Sequence, residues 1–238
     1  MMFGSRVIVG RKARDEAEKP FWISFADLMS ALMVLFLLAM SVELLAVTKN
    51  VTEAERRIAE RGQQVGVVLT RIEEAAKRHP GITVDSRRNV IDFGNRARFE
   101  TGSSQLSKEQ ADYLRTFVPE VLAVARDELG KRWLKRIVVE GFADQRGDYL
   151  LNLDLSLKRS QRVLCALLAP TAANERALTP EEREQVRDLF LVGGYSFNSA
   201  LASFEESRRI ELRLEFFDIG EQRQVVDIPR GDFGVCRI

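Results

Sequence analysis

The stretch KRIVVEGFADQRGDYLLNLDLSLKR, residues 135–159, decides the fold of this chain. Its first part, Lys135 to Phe142, is dominated by β-branched and apolar residues and predicts a strand. The glycines and aspartates that follow predict a loop. From Asp148 to Leu168 the apolar residues recur at helical spacing. The stretch therefore predicts a strand, a loop and a helix in direct succession.

The sequence on both sides of this stretch continues the alternation of strands and helices. Ser107 to Leu129 predicts a helix, and Ser107 with Gln110 forms a predicted capping box at its start. The polar segment 169–187 predicts an inserted loop and a short helix. Further strands are predicted at 82–84, 89–93, 189–195 and 209–217, the first two as a hairpin. This alternation predicts an α/β sandwich with one mixed sheet over residues 81–219, followed by a C-terminal tail at 220–238.

An apolar stretch near the start of the chain is long enough to cross a lipid bilayer. Residues 28–47 read LMSALMVLFLLAMSVELLAV, with Glu43 as the only charge. A helix of that length covers about 30 Å, the thickness of the hydrocarbon layer. The run is too long for the apolar part of a signal peptide. We therefore predict a retained, single transmembrane helix at 21–47.

The distribution of basic residues predicts how this helix is oriented. Five Lys and Arg residues fall within residues 6–20, against four within residues 48–62. Loops rich in Lys and Arg stay on the cytoplasmic side of a membrane. The sequence thus favours a cytoplasmic tail at 1–20 and a C-terminal domain on the opposite side of the membrane.

Asp27 stands at the start of the apolar stretch, in FWISFADLM, residues 21–29. A carboxylate at that depth costs at least ~2.5 kcal/mol to insert, so it is tolerated mainly where it carries ions or pairs inside a bundle. At helical spacing Asp27 shares one side of the helix with Ser30, Ala31 and Ser41. Small and polar residues are typical of a membrane helix that packs against partners.

The segment at 48–80 predicts a juxtamembrane helix with a near-heptad apolar seam. Gly62 and Gly66 weaken this helix. Two alternatives remain open: a linker helix that lies on its own domain, or a dimer contact or plug just outside the membrane. The seam consists of Val51, Ala54, Ile58, Arg61, Val65, Val68, Ile72 and Ala75.

Composition and missing motifs exclude several classes of function. The net charge of +1 argues against direct nucleic-acid binding. The single histidine, His79, lies in a helix-stop sequence and argues against a His-based metal site. We find no nucleophile elbow, P-loop, paired catalytic carboxylates or metal cluster, so we expect neither an enzyme nor a resident cofactor. Whether Cys165 and Cys236 pair is left open.

Several motifs within residues 82–217 match one family. Together they resemble the OmpA-like peptidoglycan-binding domain, with its pattern of Gly-x-x-Asp, Gly, Asn, Leu-Ser and Arg. The chain departs from the family at Phe142 and Ala143, where a His-Thr pair is common, and in the insertion at 169–187. The matching motifs are Val139-Glu140-Gly141-Phe142-Ala143-Asp144 with Gly147, Asn152, Leu155-Ser156 and Arg159; Phe99 to Leu106; and Ser207 to Leu212.

This resemblance implies a role for four residues. In the family, the Asp of the loop and an Arg fifteen residues later bind the diaminopimelate of a peptidoglycan stem peptide; these positions are Asp144 and Arg159 here. An Arg grips a carboxylate through its planar fork, and an Asp accepts from an ammonium group. Asn152 and Leu155 are implied to line the same groove.

Combined with the membrane helix, the chain is similar to MotB-like stator B subunits. The run from Phe25 to Met33 resembles their aromatic-Ala-Asp-Phe-Met-Thr-Ala-Met-Met motif, and the longer FWISFADLMS run is closest to the B subunits of the Zorya antiphage defence system. The resemblance implies a homodimer inside a pentameric MotA/ZorA-like ring, with Asp27 as ion carrier. A carboxyl group in a low-dielectric site favours its neutral form, which suits proton exchange; sodium stays an alternative.

Three other functions compete with this interpretation. A flagellar MotB subunit would share the motor mechanism. A passive OmpA-like tether between membrane and wall would have no use for Asp27. A TolR- or ExbD-like transducer also carries an early membrane Asp, but its family has a different periplasmic fold.

Overall fold

The computed structural model describes residues 15–169 and 176–223, together with Phe233, Gly234 and Cys236. Most of the predicted tails and residues 170–175 of the predicted insertion lie outside this part of the chain. The chain divides into two compact units, Met1–Arg57 and Ile58–Ile238. The helices are α1 (Asp15–Lys77), α2 (Lys108–Arg126), α3 (Glu128–Trp133), α4 (Tyr149–Leu168), α5 (Pro180–Leu189) and α6 (Phe204–Ser207). The strands are β1 (Thr83–Asp85), β2 (Val90–Asp92), β3 (Leu134–Gly141), β4 (Phe190–Gly194) and β5 (Ile210–Phe216).

Helix α1 is longer than either helix predicted for this region. It runs without a break through residues 48–49, where the sequence predicted a boundary between a membrane helix and a juxtamembrane helix. No Gly or Pro lies within residues 47–52 to end the helix, and the Thr48 and Thr52 hydroxyls each donate to a carbonyl one turn earlier. Among the described residues, α1 is the one helix long and apolar enough to cross a membrane.

The second unit is built on one five-stranded mixed sheet with the order β1-β2-β5-β3-β4. The pairs β1/β2, β2/β5 and β3/β5 are antiparallel, whereas β3 and β4 are parallel. Central strand β3 is paired on both edges, since Ile137 lies opposite both Phe190 and Leu214. The predicted α/β class with a mixed sheet is confirmed.

The two faces of the sheet differ in chemistry. Ile137, Val139 and Leu212 are fully buried in a core shared with α2 and α4. On the opposite face Arg213 donates to both carboxylate oxygens of Glu140, at 2.5 and 2.8 Å. The period-two alternation of each strand thus separates an apolar core from an ionic outer face.

The second half of the α1 seam belongs to the core of its own unit. Val68 and Ile72 are fully buried there. Arg61 donates from Nε to the Phe217 carbonyl at 2.8 Å. From Arg61 onward the helix therefore lies on its own domain. Val51, in the first unit, is 50% exposed, and Ile58, in the second, is 61% exposed.

The ends of helix α2 follow local chemistry. The predicted capping box is confirmed: Gln110 N donates to Ser107 Oγ at 3.1 Å, and Ser107 N donates to Gln110 Oε1 at 2.8 Å. The helix was predicted to reach Leu129 but ends at Arg126. Asp127 is extended and its carboxylate accepts from Glu128 N at 2.7 Å, so it starts α3 as an N-cap.

The two cysteines and the single histidine each contact a specific partner within the fold. Cys165 and Cys236 form a disulfide with their Cα atoms 5.6 Å apart. His79 is buried in a turn, with Nε2 2.8 Å from Glu120 Oε1 and its ring against Phe117. This supports a structural role for the only histidine.

Candidate functional site

The predicted strand, loop and helix meet through a close backbone contact. A Cβ atom on Gly141 would lie 2.0 Å from the Ser156 carbonyl oxygen, so only glycine lets β3 and α4 approach this closely. Gly147 has φ +92°, which lets the loop turn back into α4. One turn after Ser156, this packing places Arg159 beneath the loop.

Arg159 is fully buried and bonded to three backbone carbonyls. Nε donates to Ser103 at 2.9 Å, Nη1 to Phe142 at 2.8 Å and Nη2 to Glu100 at 3.1 Å. The guanidinium also stacks over the Phe99 ring, 5.0 Å from its centroid. Arg159 therefore ties the end of β3 to the loop before α2.

The pKa of Arg159 is set by its burial and by two charged neighbours. It is lowered to about 10, chiefly by burial and also by the positive charge of Arg208, while the carboxylate of Asp144 opposes the shift. The predicted pair Asp144 and Arg159 thus comes together, but no direct hydrogen bond between them is seen among the described contacts.

Asp144 is 5% exposed and is held by two other arginines. Oδ1 accepts from the backbone N of Arg146 at 3.0 Å and from its Nε at 3.1 Å. Oδ2 accepts from Arg146 Nη2 at 2.7 Å and from Arg208 Nη1 at 3.2 Å. These hydrogen bonds, led by that of the Arg146 side chain, lower the pKa of Asp144 to about 2 despite its burial. The carboxylate is therefore ionised at any physiological pH.

The other two predicted residues lie on the first turns of α4. Asn152 is 3% exposed and its Nδ2 donates to the Arg146 carbonyl at 2.8 Å, so it fixes the loop. Leu155 is half-buried on the same helix. Asn152 acts on the geometry of the loop in this structure, and Leu155 offers a partly exposed apolar side chain.

Sequence reasoning missed Arg146 and Arg208. Arg208 lies within one of the motifs that match the family, but the resemblance implied no role for it. Its Nε donates to the Phe99 carbonyl at 2.8 Å. Arg146 stands two residues after Asp144, and its guanidinium stacks over Phe204 at 4.8 Å. Its position just after the aspartate was the available signal. We call Asp144, Arg146, Arg159 and Arg208 the arginine cluster; it holds three guanidinium groups and one carboxylate.

Asp27 lies in the first unit, on the exposed surface of α1. On the same helix, Ser30 Oγ donates to the Ala26 carbonyl, one turn earlier, at 2.8 Å. Ser41 Oγ donates in the same way to the Leu37 carbonyl at 2.7 Å. These bonds let polar side chains sit on an apolar helix, since each hydroxyl satisfies its donor locally.

Comparison with known proteins identifies one clear relative. No family model matches this chain. The Zorya protein ZorB of Escherichia coli O139:H28 is 44% identical over 227 residues, covering 95% of this chain and 92% of that protein.

Solved structures resemble the chain more weakly. The periplasmic domain of Helicobacter pylori MotB is 16% identical, covering 60% of this chain and 83% of that one, with a TM-score of 0.41. The cell wall anchor of the Pseudomonas aeruginosa type VI secretion system is 16% identical over 63% of this chain and 97% of that one, with a TM-score of 0.40. The OmpA-like domain of Francisella tularensis FopA1 is 16% identical over 58% and 82%, with a TM-score of 0.35.

The identity to ZorB extends over almost the whole length of both proteins, a span that includes the apolar helix with Asp27 and the strand, loop and helix that carry the arginine cluster. This chain belongs to the ZorB family.

Proposed function

We propose that this chain is the peptidoglycan-anchored B subunit of an ion-driven rotary membrane motor in Zorya antiphage defence. The observation that carries the proposal is Asp27, a carboxyl group at the start of the apolar stretch of a helix long enough to span a membrane, in a member of the ZorB family. The proposed role is anchoring and ion transfer, without enzymatic catalysis.

Asp27 is proposed to bind and release the transported ion, a proton. An isolated carboxylate is costly inside a bilayer, and protonation removes that cost. A group that alternates between a neutral and a charged state can therefore couple its protonation to movement of surrounding subunits. In a passive tether between membrane and wall, nothing would offset the free-energy cost of inserting Asp27 into the bilayer.

The arginine cluster is proposed to bind the wall, with Asp144, Asn152, Leu155 and Arg159 forming or shaping the site. Three guanidinium groups against one carboxylate leave an excess of positive charge, which suits the carboxylates of a peptidoglycan stem peptide.

The location of the second unit is proposed to be the periplasm, with the N-terminus in the cytoplasm. The Cys165–Cys236 disulfide supports this, because disulfides persist in oxidising compartments such as the bacterial periplasm. The basic residues before the apolar helix favour the same orientation.

The working assembly is proposed to be a homodimer inside a pentameric ZorA-like ring. A wall-bound pair of helices can hold still while a ring turns around it. The exposed side chains of Val51 and Ile58 support contact between copies along the part of α1 outside its own core.

We expect Val51→Cys or Ile58→Cys to form a disulfide-linked dimer in membranes that contain the ring subunit. The native cysteines are already paired, so the new thiol is the reactive one. Val68→Cys is the matched control, since Val68 is fully buried and should not cross-link. Non-reducing gel electrophoresis measures the outcome. Monomer alone, in membranes where the chain is active, would contradict the dimer.

We expect Arg146→Ala combined with Arg208→Ala to weaken wall binding tenfold or more. Each removed guanidinium costs about 1.5–3 kcal/mol where it bonds a charged ligand. The measurement is co-sedimentation of the detergent-solubilised full chain with purified sacculi. Arg87→Ala, at an exposed arginine of the β1–β2 turn, is the control and should bind as the wild type does. Undiminished binding by the double variant, folded as judged by circular dichroism, would place the wall site elsewhere.

A further inference from the structure

The carboxylate of Asp144 has its acceptor positions occupied within the protein. Three N–H groups of Arg146 and one of Arg208 donate to its two oxygens. A carboxylate offers about four lone-pair positions. An ammonium group of a ligand could bond Asp144 only after one of these donors had left.

Arg146 is held in place on the other sides of its guanidinium as well. Nη2 also donates to Thr101 Oγ1 at 3.1 Å, and the plane of the guanidinium lies over the Phe204 ring. The Nε and Nη2 groups form a two-pronged contact with Asp144. A ligand ammonium group would have to replace the preorganised contact between Arg146 and Asp144. That replacement is unfavourable, because the ligand also loses its freedom of motion on binding.

The arginines, by contrast, keep surface that a ligand can reach. The Arg146 side chain is 47% exposed and that of Arg208 is 13% exposed. Arg159 is fully buried and adds its positive charge from below. An incoming carboxylate therefore meets two accessible guanidinium groups and a third positive charge behind them.

We propose that this site recognises its ligand through a carboxylate alone, with Arg146 and Arg208 as the donors and Asp144 as the residue that positions them. The ligand class is a peptide bearing a free side-chain carboxylate, and an ammonium group beside that carboxylate adds little. This inference rests on the proposed wall-binding function, and it differs from the acceptor role that the family resemblance implies for the aspartate.

The test compares three synthetic stem peptides by calorimetry with the detergent-solubilised full chain. The first contains unmodified diaminopimelate, the second has its side-chain amine acetylated, and the third has its side-chain carboxylate amidated. We expect acetylation to change the wild-type Kd less than about threefold and amidation to weaken binding about tenfold or more.

Arg146→Ala gives a signature that a structural role alone would not produce. It removes a donor to the ligand carboxylate, so the unmodified peptide should bind more weakly by about tenfold or more. It also frees acceptor positions on Asp144, so acetylation of the amine should now weaken binding further. Arg87→Ala should behave as the wild type does in all three titrations.

Two results would overturn the inference while leaving wall binding intact. One is a wild-type chain that loses tenfold or more in affinity when the amine is acetylated. The other is a chain that sediments with sacculi but binds none of the three peptides. Failure to bind sacculi at all would instead overturn the proposed wall-binding function.

Discussion

We expect Asp27→Asn to abolish phage protection while the chain still inserts and assembles. The amide has almost the same size as the carboxyl group but cannot take up and release a proton. It also costs less to bury in a bilayer than a carboxylate, so assembly should not suffer. The expected effect is the complete loss of protection, measured as the efficiency of phage plating on cells that carry the whole defence system. Asp27→Glu, which retains an ionisable carboxyl group, should keep part of the protection.

The same helix offers a matched control for this variant. Glu43 is the only charge in the apolar stretch 28–47. Sixteen residues from Asp27, it lies about 160° around the helix, on the opposite side. Glu43→Gln should therefore keep protection at the wild-type level. Full protection by a stably expressed Asp27→Asn chain would remove Asp27 from the ion path.

We expect Arg159→Ala to destabilise the second unit by several kcal/mol. Three backbone carbonyls would lose their donor inside the protein, and each unsatisfied group costs about 1–3 kcal/mol. The stacking contact with Phe99 would be lost as well. A loss of about 3 kcal/mol or more corresponds to a fall of roughly 10 °C in the midpoint of thermal unfolding.

Thermal unfolding of the detergent-solubilised full chain measures this effect. Arg159→Lys should fall between the wild type and the alanine variant, because one ammonium group cannot reach all three carbonyls in the fork geometry of an arginine. Lys158→Ala is the control: it alters an exposed neighbour on the same helix, paired with Asp154, and should move the midpoint by no more than about 2 °C. An unchanged midpoint in Arg159→Ala would mean that the carbonyl contacts do not stabilise the loop. Loss of wall binding by this variant would follow from its instability and would not show that Arg159 contacts the ligand.

The sequence was sufficient for the local structure of the second unit. The β-branched and apolar residues of KRIVVEGF predicted β3, and the helical spacing of apolar residues after Asp148 predicted α4. Ser107 and Gln110 predicted the start of α2 by a mechanism that needs only four consecutive residues.

Tertiary contacts explain what the sequence did not predict. The role of Arg159 depends on Ser103 and Glu100, more than fifty residues earlier in the chain, so its burial could not be read from its own helix. Asp144 and Arg208 likewise pair only because the fold places the start of β5 beside the loop that carries Asp144. The periodicity of the α1 seam predicts an apolar stripe on the helix, but it does not show which surface the stripe packs against. In the fold, Val68 and Ile72 pack into the core of the second unit.

If Asp27 carries the ion that drives a motor, the entry of that ion into cells depends on Asp27. Cells that express this chain with a ZorA-like ring subunit are loaded with indicators of cytoplasmic pH and sodium, and entry is recorded when an inward gradient of each ion is imposed. We expect entry of protons with the wild-type chain and a return to the background rate with Asp27→Asn at equal expression. Equal proton entry in the two strains would show that Asp27 does not carry the ion.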